Sequence, residues 1–226
     1  MTGTTDSAHS TPIGLIGLGL MGHAMSQHLL QQGWSVYGCS RRGCDLAGIH
    51  DRVLDLGCGT GELTRMIADR LDSARGGLSL GIDAAATMIA VARKKRGNDA
   101  CRFEVAAAEN LPYEDASFDS VVSSLFFHHV DLELKQRALA ESYRVLKPGG
   151  KLVIADMHTP TTRMGWLVSW TARWFFMQPE IAENIHGVLP RLMRAAGFRP
   201  PETRGRDLGY INIFSCTKPG DGHGVV

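Results

Sequence analysis

Short apolar runs alternate with longer amphipathic stretches over most of the chain, from Val53 to about Lys218. This alternation is typical of parallel strands joined by helices that cover both faces of a sheet. The apolar runs predict strands at 53–57, 78–83, 101–106, 118–124, 151–156, 202–206 and 209–216. The amphipathic stretches predict helices at about 61–72, 85–95, 131–146 and 183–196, with a tight turn at 147–150 (KPGG) between a helix and a strand. We therefore predict an α/β fold with a seven-stranded, mostly parallel sheet.

A shorter unit with the same alternation precedes this domain. Apolar residues at 12–17 and 34–39 predict two strands, and the amphipathic stretch 20–32 between them predicts a helix. The unit is expected to form a short N-terminal βαβ-like appendage. Residues 1–11 are small and polar, so we expect a disordered tail there, and a flexible tail at 219–226.

The composition excludes several broad classes of protein. The chain has 226 residues, a formal net charge of +1, 44% apolar residues and 21% charged residues, as globular proteins do. A charge so close to zero gives no broad attraction to nucleic acid or to acidic membranes. No apolar stretch is long enough to span a bilayer, and the start of the chain lacks the features of a signal peptide. We expect a cytoplasmic protein that acts on a small molecule, without nucleic acid and without stable membrane insertion.

The cysteines indicate neither a metal site nor a disulfide framework. There are five of them, at positions 39, 44, 58, 101 and 216, with no CxxC pair. Free thiols are typical of a reducing compartment. We therefore expect no bound metal.

The most specific pattern is the glycine-rich segment 57–61 (GCGTG), which lies between a predicted strand and a predicted helix. Alternate glycines allow a sharp turn and leave bare main chain against which a ligand can lie. Asp55 precedes this glycine loop at the carboxyl end of its strand, where open α/β sheets bind ligands. Asp83 ends the next strand, and a carboxylate there can accept hydrogen bonds from both hydroxyls of a ribose.

These residues belong to a series of five separated motifs. The motifs are VLDLGCGTG at 53–61, GIDAAATMI at 81–89, AENLPYEDASFDSVVSS at 108–124, RVLKPGGKLVIAD at 144–156 and LMRAAGF at 192–198. With them, residues 50–218 resemble the class I S-adenosylmethionine (SAM)-dependent methyltransferases, specifically the small bacterial proteins of the ubiquinone/menaquinone-biosynthesis-like group. The resemblance implies a Rossmann-like sheet with helices on both faces, SAM as the cofactor, and methyl transfer as the activity.

The resemblance also implies roles for individual residues. The glycine loop would face the methionine and ribose portions of SAM, Asp55 would lie near the methionine amino group, and Asp83 would hold the ribose. Two further residues would flank the adenine (84 and 88), two would lie beside its edge (108 and 109), and one would close over the cofactor (124). The full set of expected cofactor-binding residues is Asp55, Gly57, Cys58, Gly59, Gly61, Asp83, Ala84, Met88, Ala108, Glu109 and Ser124.

One position departs from the family pattern. Ala107 stands where the family usually has an acidic residue that contacts the adenine amino group. Losing one buried hydrogen bond costs about 0.5–1.5 kcal/mol. We expect this loss to weaken SAM binding by about tenfold without abolishing it.

The appendage carries a competing motif. Residues 17–22 (GLGLMG) form a GxGxxG fingerprint between a strand and a helix, and Arg41 and Arg42 follow the next strand, where a 2′-phosphate would lie. Residues 12–42 resemble the N-terminal, NADP-binding start of the β-hydroxyacid dehydrogenases, and the resemblance stops near residue 42. A piece of about 35 residues buries too little surface to fold alone. We expect it to be a structural appendage packed on the main domain, with residual dinucleotide binding as the alternative.

These considerations divide the chain into four parts. They are the tail 1–11, the truncated dinucleotide-binding-like segment 12–45, a SAM-dependent methyltransferase domain at 46–218 and the tail 219–226.

Candidates for proton transfer lie after the fourth and fifth strands of the main domain. Methyl transfer from a sulfonium needs a positioned acceptor and, for some acceptors, a base. His128 and His129 follow the fourth strand, and Asp156 and His158 follow the fifth. Adjacent residues of a helix point about 100° apart, so we expect only one of His128 and His129 to face the cleft.

The stretch after the fifth strand contains Trp166, Trp170 and Trp174, spaced four residues apart. If this stretch is helical, the three tryptophans form one stripe. The stripe fits a helix that covers the core, a wall or lid for an aromatic or lipophilic acceptor, or an interfacial contact with a membrane.

Three hypotheses for function follow. The first is a SAM-dependent methyltransferase that acts on a small, hydrophobic or aromatic acceptor. The second is an NADP-dependent oxidoreductase fragment or fusion that uses the loop Gly17–Gly22. The third is a non-catalytic SAM-binding module.

Overall fold

The structure is a computed structural model that describes residues 13–15, 36–38, 51–162, 166, 179–207 and 209–220. In the N-terminal unit, β1 (Ile13–Leu15) and β2 (Val36–Gly38) pair in parallel. The described residues do not include the predicted helix at 20–32, the loop Gly17–Gly22 or the predicted tail 1–11. Of the predicted tail 219–226 they include only the first two residues.

The main sheet has seven strands, as predicted. They are β3 (Arg52–Leu56), β4 (Leu78–Asp83), β5 (Cys101–Val105), β6 (Phe118–Ser124), β7 (Leu146–Met157), β8 (Glu202–Asp207) and β9 (Ile211–Thr217). Their spatial order is β5-β4-β3-β6-β7-β9-β8. The five strands from β5 to β7 are parallel, and β9 is antiparallel to both of its neighbours. The prediction of a mostly parallel Rossmann-like sheet is confirmed.

Helices cover both faces of this sheet. They are α1 (Glu62–Ala68), α2 (Ala86–Arg96), α3 (Leu132–Val145), α4 (Pro179–Ile185) and α5 (Val188–Ala195). Because side chains alternate along a strand, Val53 packs with Leu63 and Ile67 of α1, whereas Leu54 packs with the core that includes Leu139 of α3. The two faces therefore use different residues of the same strand.

Two helices were predicted with the wrong bounds, for local reasons. The helix predicted at 61–72 ends at Ala68, because Arg70 and Leu71 donate to carbonyls three residues back and tighten the chain. The helix predicted at 183–196 is two helices, broken at Gly187, which has a positive φ of 75°.

The predicted turn at 147–150 lies inside β7 instead of before it. Phe118 pairs with Leu146 and Ser120 with Lys151, so the intervening residues of β7 bulge out of the ladder. Gly149 takes a positive φ of 76° in this bulge. The strand therefore begins directly after α3.

The topology fixes where a ligand can bind. From β3 the chain runs outward to β4 and β5, then returns to β6 on the other side of β3. Open α/β sheets bind ligands at such a reversal, outside the carboxyl ends of the strands. In the parts of the chain that the structure describes, no helix is long and apolar enough to cross a membrane.

Candidate functional site

The glycine loop occupies the reversal point, between β3 and α1. Gly57, Gly59 and Gly61 have positive φ angles of 67°, 54° and 84°, a conformation that favours glycine. A Cβ on Gly57 would lie 2.6 Å from the Phe126 ring, and one on Gly61 would collide with the Phe103 ring. A Cβ on Gly59 would meet nothing within 4 Å. Gly59 is therefore the glycine whose Cα faces open space.

Asp83, at the end of β4, ties the glycine loop to the start of α2. Its Oδ2 accepts the Gly59 N–H at 3.0 Å, and its Oδ1 accepts the Ala85 N–H at 2.8 Å. Each carboxylate oxygen has a second lone pair. The half-buried carboxylate can therefore still accept two hydroxyl groups.

Asp55 lies on the face of β3 that packs against α1. It is 1% exposed, and its Oδ2 accepts the Thr64 hydroxyl at 2.7 Å. Burial raises the pKa of Asp55 to about 7, against the lowering effect of the hydrogen bonds from Thr64, and the charge of Asp83 raises it further. Cys58 lies nearby, since a Cβ added to Gly81 would come within 2.6 Å of the Thr64 hydroxyl and 2.9 Å of the Cys58 thiol.

The residues expected around an adenine lie at the start of α2 and in the segment after β5. Ala84 and Met88 are exposed at the start of α2, with Met88 44% exposed. Ala108 is buried and Glu109 half-buried in the segment after β5, whose Ala106 N–H donates to the carbonyl of Asp83 at 3.2 Å. Ala107 is the residue that differs from the family pattern. Its carbonyl accepts the backbone N–H of Asn110 at 3.2 Å, and this hydrogen bond closes a turn.

Ser124 ends β6 on the other side of the glycine loop. Its hydroxyl is buried and has no hydrogen-bond partner among the described residues. The chain then turns through Leu125, which has a positive φ of 55° and donates its N–H to the Ala155 carbonyl at 2.9 Å. Such a conformation costs a non-glycine residue about 1 kcal/mol or more. This turn directs the next residues over the end of β7.

His128 and Asp156 form a buried pair at the end of β6 and β7. The Nδ1 of His128 lies 2.8 Å from Oδ1 of Asp156. Asp156 is fully buried and also accepts the N–H groups of Phe127 and Met157, both at 2.7 Å. With these donors Asp156 serves as an acceptor, so Nδ1 of His128 donates to it and the proton-accepting position of the ring is Nε2.

The other two candidate histidines lie differently. His129 is exposed, and its ring lies 3.9 Å from that of His128, so of the two only His128 points inward. His158 packs edge-on against Phe214 with ring centroids 4.9 Å apart, and its buried Nδ1 has no partner among the described residues. Burial, with a smaller effect of Arg206, lowers the pKa of His158.

Helix α4 approaches the pair from the side. Asn184 is fully buried, and its Nδ2 lies 3.4 Å from Oδ1 of Asp156. Its neighbour Glu183 accepts the Nζ of Lys135 at 2.5 Å, and Lys135 of α3 is fully buried. The ends of β6, β7, α3 and α4 are therefore joined by polar contacts.

Several of these residues could not be found from the sequence. Thr64 and Asn184 lie in ordinary helical patterns, and nothing in their neighbourhood marks them as partners of Asp55 and Asp156. Of the predicted tryptophan stripe, Trp166 is 56% exposed, and Trp170 and Trp174 lie outside the described residues. No three His, Cys, Asp or Glu side chains within the described ranges are grouped closely enough to hold a metal ion.

Two family models match the chain. One, described as a methyltransferase domain, matches residues 54–154. The other, described as the NAD binding domain of 6-phosphogluconate dehydrogenase, matches residues 12–94. The second match extends beyond residue 42 and overlaps the first, in a region whose strands β3 and β4 belong to the seven-stranded sheet.

Curated relatives and solved structures agree with the first model. The chain is 34% identical over 179 residues to a demethylmenaquinone methyltransferase of Deinococcus radiodurans, a match that covers 70% of this chain and 71% of the relative. It is 42% identical over 113 residues to a demethylmenaquinone methyltransferase of Thermus thermophilus, a match that spans only 48% of each chain. A solved SAM-dependent methyltransferase of Methanosarcina mazei has the same fold, with a TM-score of 0.59, 21% identity, and coverage of 78% of this chain and 96% of that one. The chain therefore belongs to the class I SAM-dependent methyltransferases and is an enzyme that uses SAM as its methyl donor.

Proposed function

We propose that this methyltransferase acts on a small, hydrophobic aromatic acceptor that carries a hydroxyl group, and that His128 accepts the hydroxyl proton. The observation that carries the proposal is the pair formed by His128 and Asp156, with 2.8 Å between Nδ1 and Oδ1. A carboxylate that fixes one ring nitrogen leaves the other free to act as a base.

The residues around the glycine loop fit the methyl donor. The open space over Gly59 leaves room for a ligand against the main chain, and Asp83 has lone pairs left for two ribose hydroxyls. The orphaned hydroxyl of Ser124 would gain a partner beside such a ligand. Bound SAM supplies a methyl group that is already activated as a sulfonium.

On the acceptor side the protein has to place a nucleophile and remove a proton. The acceptor loses one proton for each methyl group it gains, and Nε2 of His128 takes that proton from the hydroxyl. An aromatic hydroxyl that loses its proton becomes more nucleophilic at oxygen and at the neighbouring ring carbons. Where a ring carbon takes the methyl group, the hydrogen of that carbon leaves as a proton and the hydroxyl is restored, so one proton is lost in total. Asp156 is 0% exposed, so we assign it a positioning role for His128 and not contact with the acceptor.

The hydrophobic nature of the acceptor has two supports. Leu132 begins α3 four residues after His128 and is 36% exposed, and Trp166 is 56% exposed. The relatives are named for demethylmenaquinone, whose ring is aromatic in its reduced form and whose tail is lipophilic. The acceptor proposed for this chain is a reduced quinone of that kind.

The test measures methyl transfer from radiolabelled SAM to reduced demethylmenaquinone with a short tail, with an aliphatic amine carrying the same tail as the comparison. We expect transfer to the aromatic compound, and a loss of about 10²–10⁴-fold in kcat for His128→Ala with unchanged affinity for SAM. His186→Ala, at an exposed position outside the site, is the control and keeps full activity. Transfer only to the amine, or full activity of His128→Ala, would overturn the proposal.

A second candidate function is NADP binding by residues 12–42. The match of an NAD-binding family model from residue 12 favours it, as does the parallel pairing of β1 with β2. Calorimetric titration with NADPH tests it, and heat of saturable binding that Gly19→Ala abolishes would support it. Absence of such heat would contradict it.

A further inference from the structure

The segment between β5 and β6 is held by an ion pair that the proposed chemistry does not use. Residues 111–113 of this segment belong to no strand, so their backbone groups have no strand partners. Side chains of α3 form hydrogen bonds with these backbone groups instead. Glu141 accepts the Leu111 N–H at 2.7 Å, and Arg144 donates to the carbonyls of Leu111 at 3.0 Å and Tyr113 at 2.7 Å. Backbone groups need such partners when they are shielded from water.

The two side chains form a rigid fork. Arg144 donates from Nε to Oε1 of Glu141 and from Nη2 to Oε2, both at 2.8 Å, and from Nη1 to Asp115 at 2.8 Å. The hydrogen bonds from Arg144 lower the pKa of Glu141, and those to Glu141 and then Asp115 raise the pKa of Arg144. A planar guanidinium that binds a carboxylate at two points holds its own orientation.

The same segment begins at the side of the site proposed for the adenine. Ala106 donates to the carbonyl of Asp83, and the turn closed by Ala107 and Asn110 follows directly. Leu111 is the next residue, so the first backbone groups after this turn are those held by Glu141 and Arg144. Ala108, inside the turn, is 6% exposed and packs with the core that contains Leu111.

We propose that Arg144 and Glu141 are positioning residues for the methyl donor. They hold the turn 107–110 in place from α3, so that its backbone and the side chains of Ala108 and Glu109 meet the edge of the adenine. The inference rests on the proposed placement of the adenine beside these residues. Arg144 and Glu141 then affect the affinity for SAM and have no effect on the rate of methyl transfer.

The test compares Arg144→Lys with Lys147→Ala. A lysine has a point charge and cannot reproduce the fork, so the contacts to the carbonyls of Leu111 and Tyr113 are lost together. Lys147 belongs to the same motif and forms an ion pair with Asp119 at 2.6 Å, away from the turn. Without these contacts the turn is held less firmly, so the Kd for SAM is expected to rise by about tenfold in Arg144→Lys. Lys147→Ala is expected to leave it unchanged.

Two further readouts separate positioning from a general loss of structure. The Kd values for S-adenosylhomocysteine and for adenosine should rise by the same factor as that for SAM, and kcat at saturating SAM should stay within about twofold. Amide hydrogens of 107–113 should exchange faster in ligand-free Arg144→Lys. Unchanged Kd values, or a fall in kcat equal to the loss in kcat/KM, would overturn the proposal. If Arg144→Lys does not fold, Glu141→Gln carries the same test with a smaller effect.

These titrations contain no methyl acceptor. A wrong assignment of the acceptor or of His128 therefore leaves the Kd values unaffected, so the two proposals fail separately; only the kcat readout requires the acceptor.

Discussion

The three glycines of the loop serve different purposes. At Gly57 and Gly61 a side chain would collide with Phe126 and Phe103, so these positions are glycine because of packing as well as backbone conformation. At Gly59 the space is open, and only the positive φ of 54° and the needs of a ligand require glycine. The sequence motif alone makes no such distinction.

Gly59→Ala should therefore separate the cost of folding from the cost of binding. A left-handed alanine costs about 1–2 kcal/mol, and the new methyl group enters the space over the loop, so we expect SAM affinity to fall at least about tenfold. Gly149→Ala is the matched control, because Gly149 also has a positive φ of 76° and open space, but lies in the bulge of β7. Urea unfolding and calorimetry on both variants check the prediction. Equal SAM affinity in the two variants would contradict it.

Asp55 is expected to link SAM binding to a proton. Burial raises its pKa to about 7. Between about pH 4 and 7 the folded protein therefore holds a proton that the unfolded chain has lost. Because of this difference, the contribution of Asp55 to the free energy of unfolding falls as the pH rises through this window. An ammonium group beside Asp55 would favour the carboxylate. We therefore expect proton release on SAM binding near pH 6 to 6.5, and an affinity that rises as pH increases towards 7.

Calorimetry in two buffers of different ionisation enthalpy measures that release. The observed binding enthalpy should differ between the buffers for the native chain and not for Asp55→Asn. The native chain giving the same enthalpy in both buffers would show that Asp55 does not change its protonation on binding.

The spacing of apolar residues along the chain predicted the strands of the main sheet and the helices that cover it well. The strands are short apolar runs and the helices are longer amphipathic stretches, as a sheet covered on both faces requires. Boundaries failed where hydrogen bonds outside the pattern decide them, as after Ala68 and at Gly187. Helix α4 was predicted only as part of a longer helix. Its buried contacts through Glu183 and Asn184 depend on tertiary packing, which a single sequence does not encode visibly.

The buried pair between α3 and α4 should respond asymmetrically to substitution. Lys135 is 0% exposed, whereas the side chain of Glu183 is 34% exposed. Glu183→Ala removes this partner from a fully buried ammonium and should lower the free energy of unfolding by about 1 kcal/mol or more. Lys135→Met leaves a carboxylate that water can reach, so a smaller loss is expected. Urea titrations of both variants give the comparison, and an equal or reversed order would contradict the described burial.

At the scale of the whole molecule, the sequence predicted where the site lies better than how it is held together. Asp55, the glycine loop and Asp83 could be proposed because strand ends next to glycines are readable in a sequence, and the topology places them at the carboxyl ends of adjacent strands. The pairing of His128 with Asp156 was not predicted, although both residues were candidates, because it depends on the turn at Leu125. The fork of Arg144 and Glu141 was missed entirely, since an arginine and a glutamate one helical turn apart are common on helix surfaces.

The central claim is that the glycine loop and Asp83 hold the adenosine of SAM, and calorimetric titration of Asp83→Asn with SAM tests it most directly. Asparagine has nearly the same shape, so it keeps one acceptor for the Gly59 N–H while it removes the charge that ribose hydroxyls would meet. Hydrogen bonds to a charged group contribute about 1.5–3 kcal/mol, so the account predicts an affinity for SAM that is lower by about tenfold or more. An affinity equal to that of the native chain would contradict it.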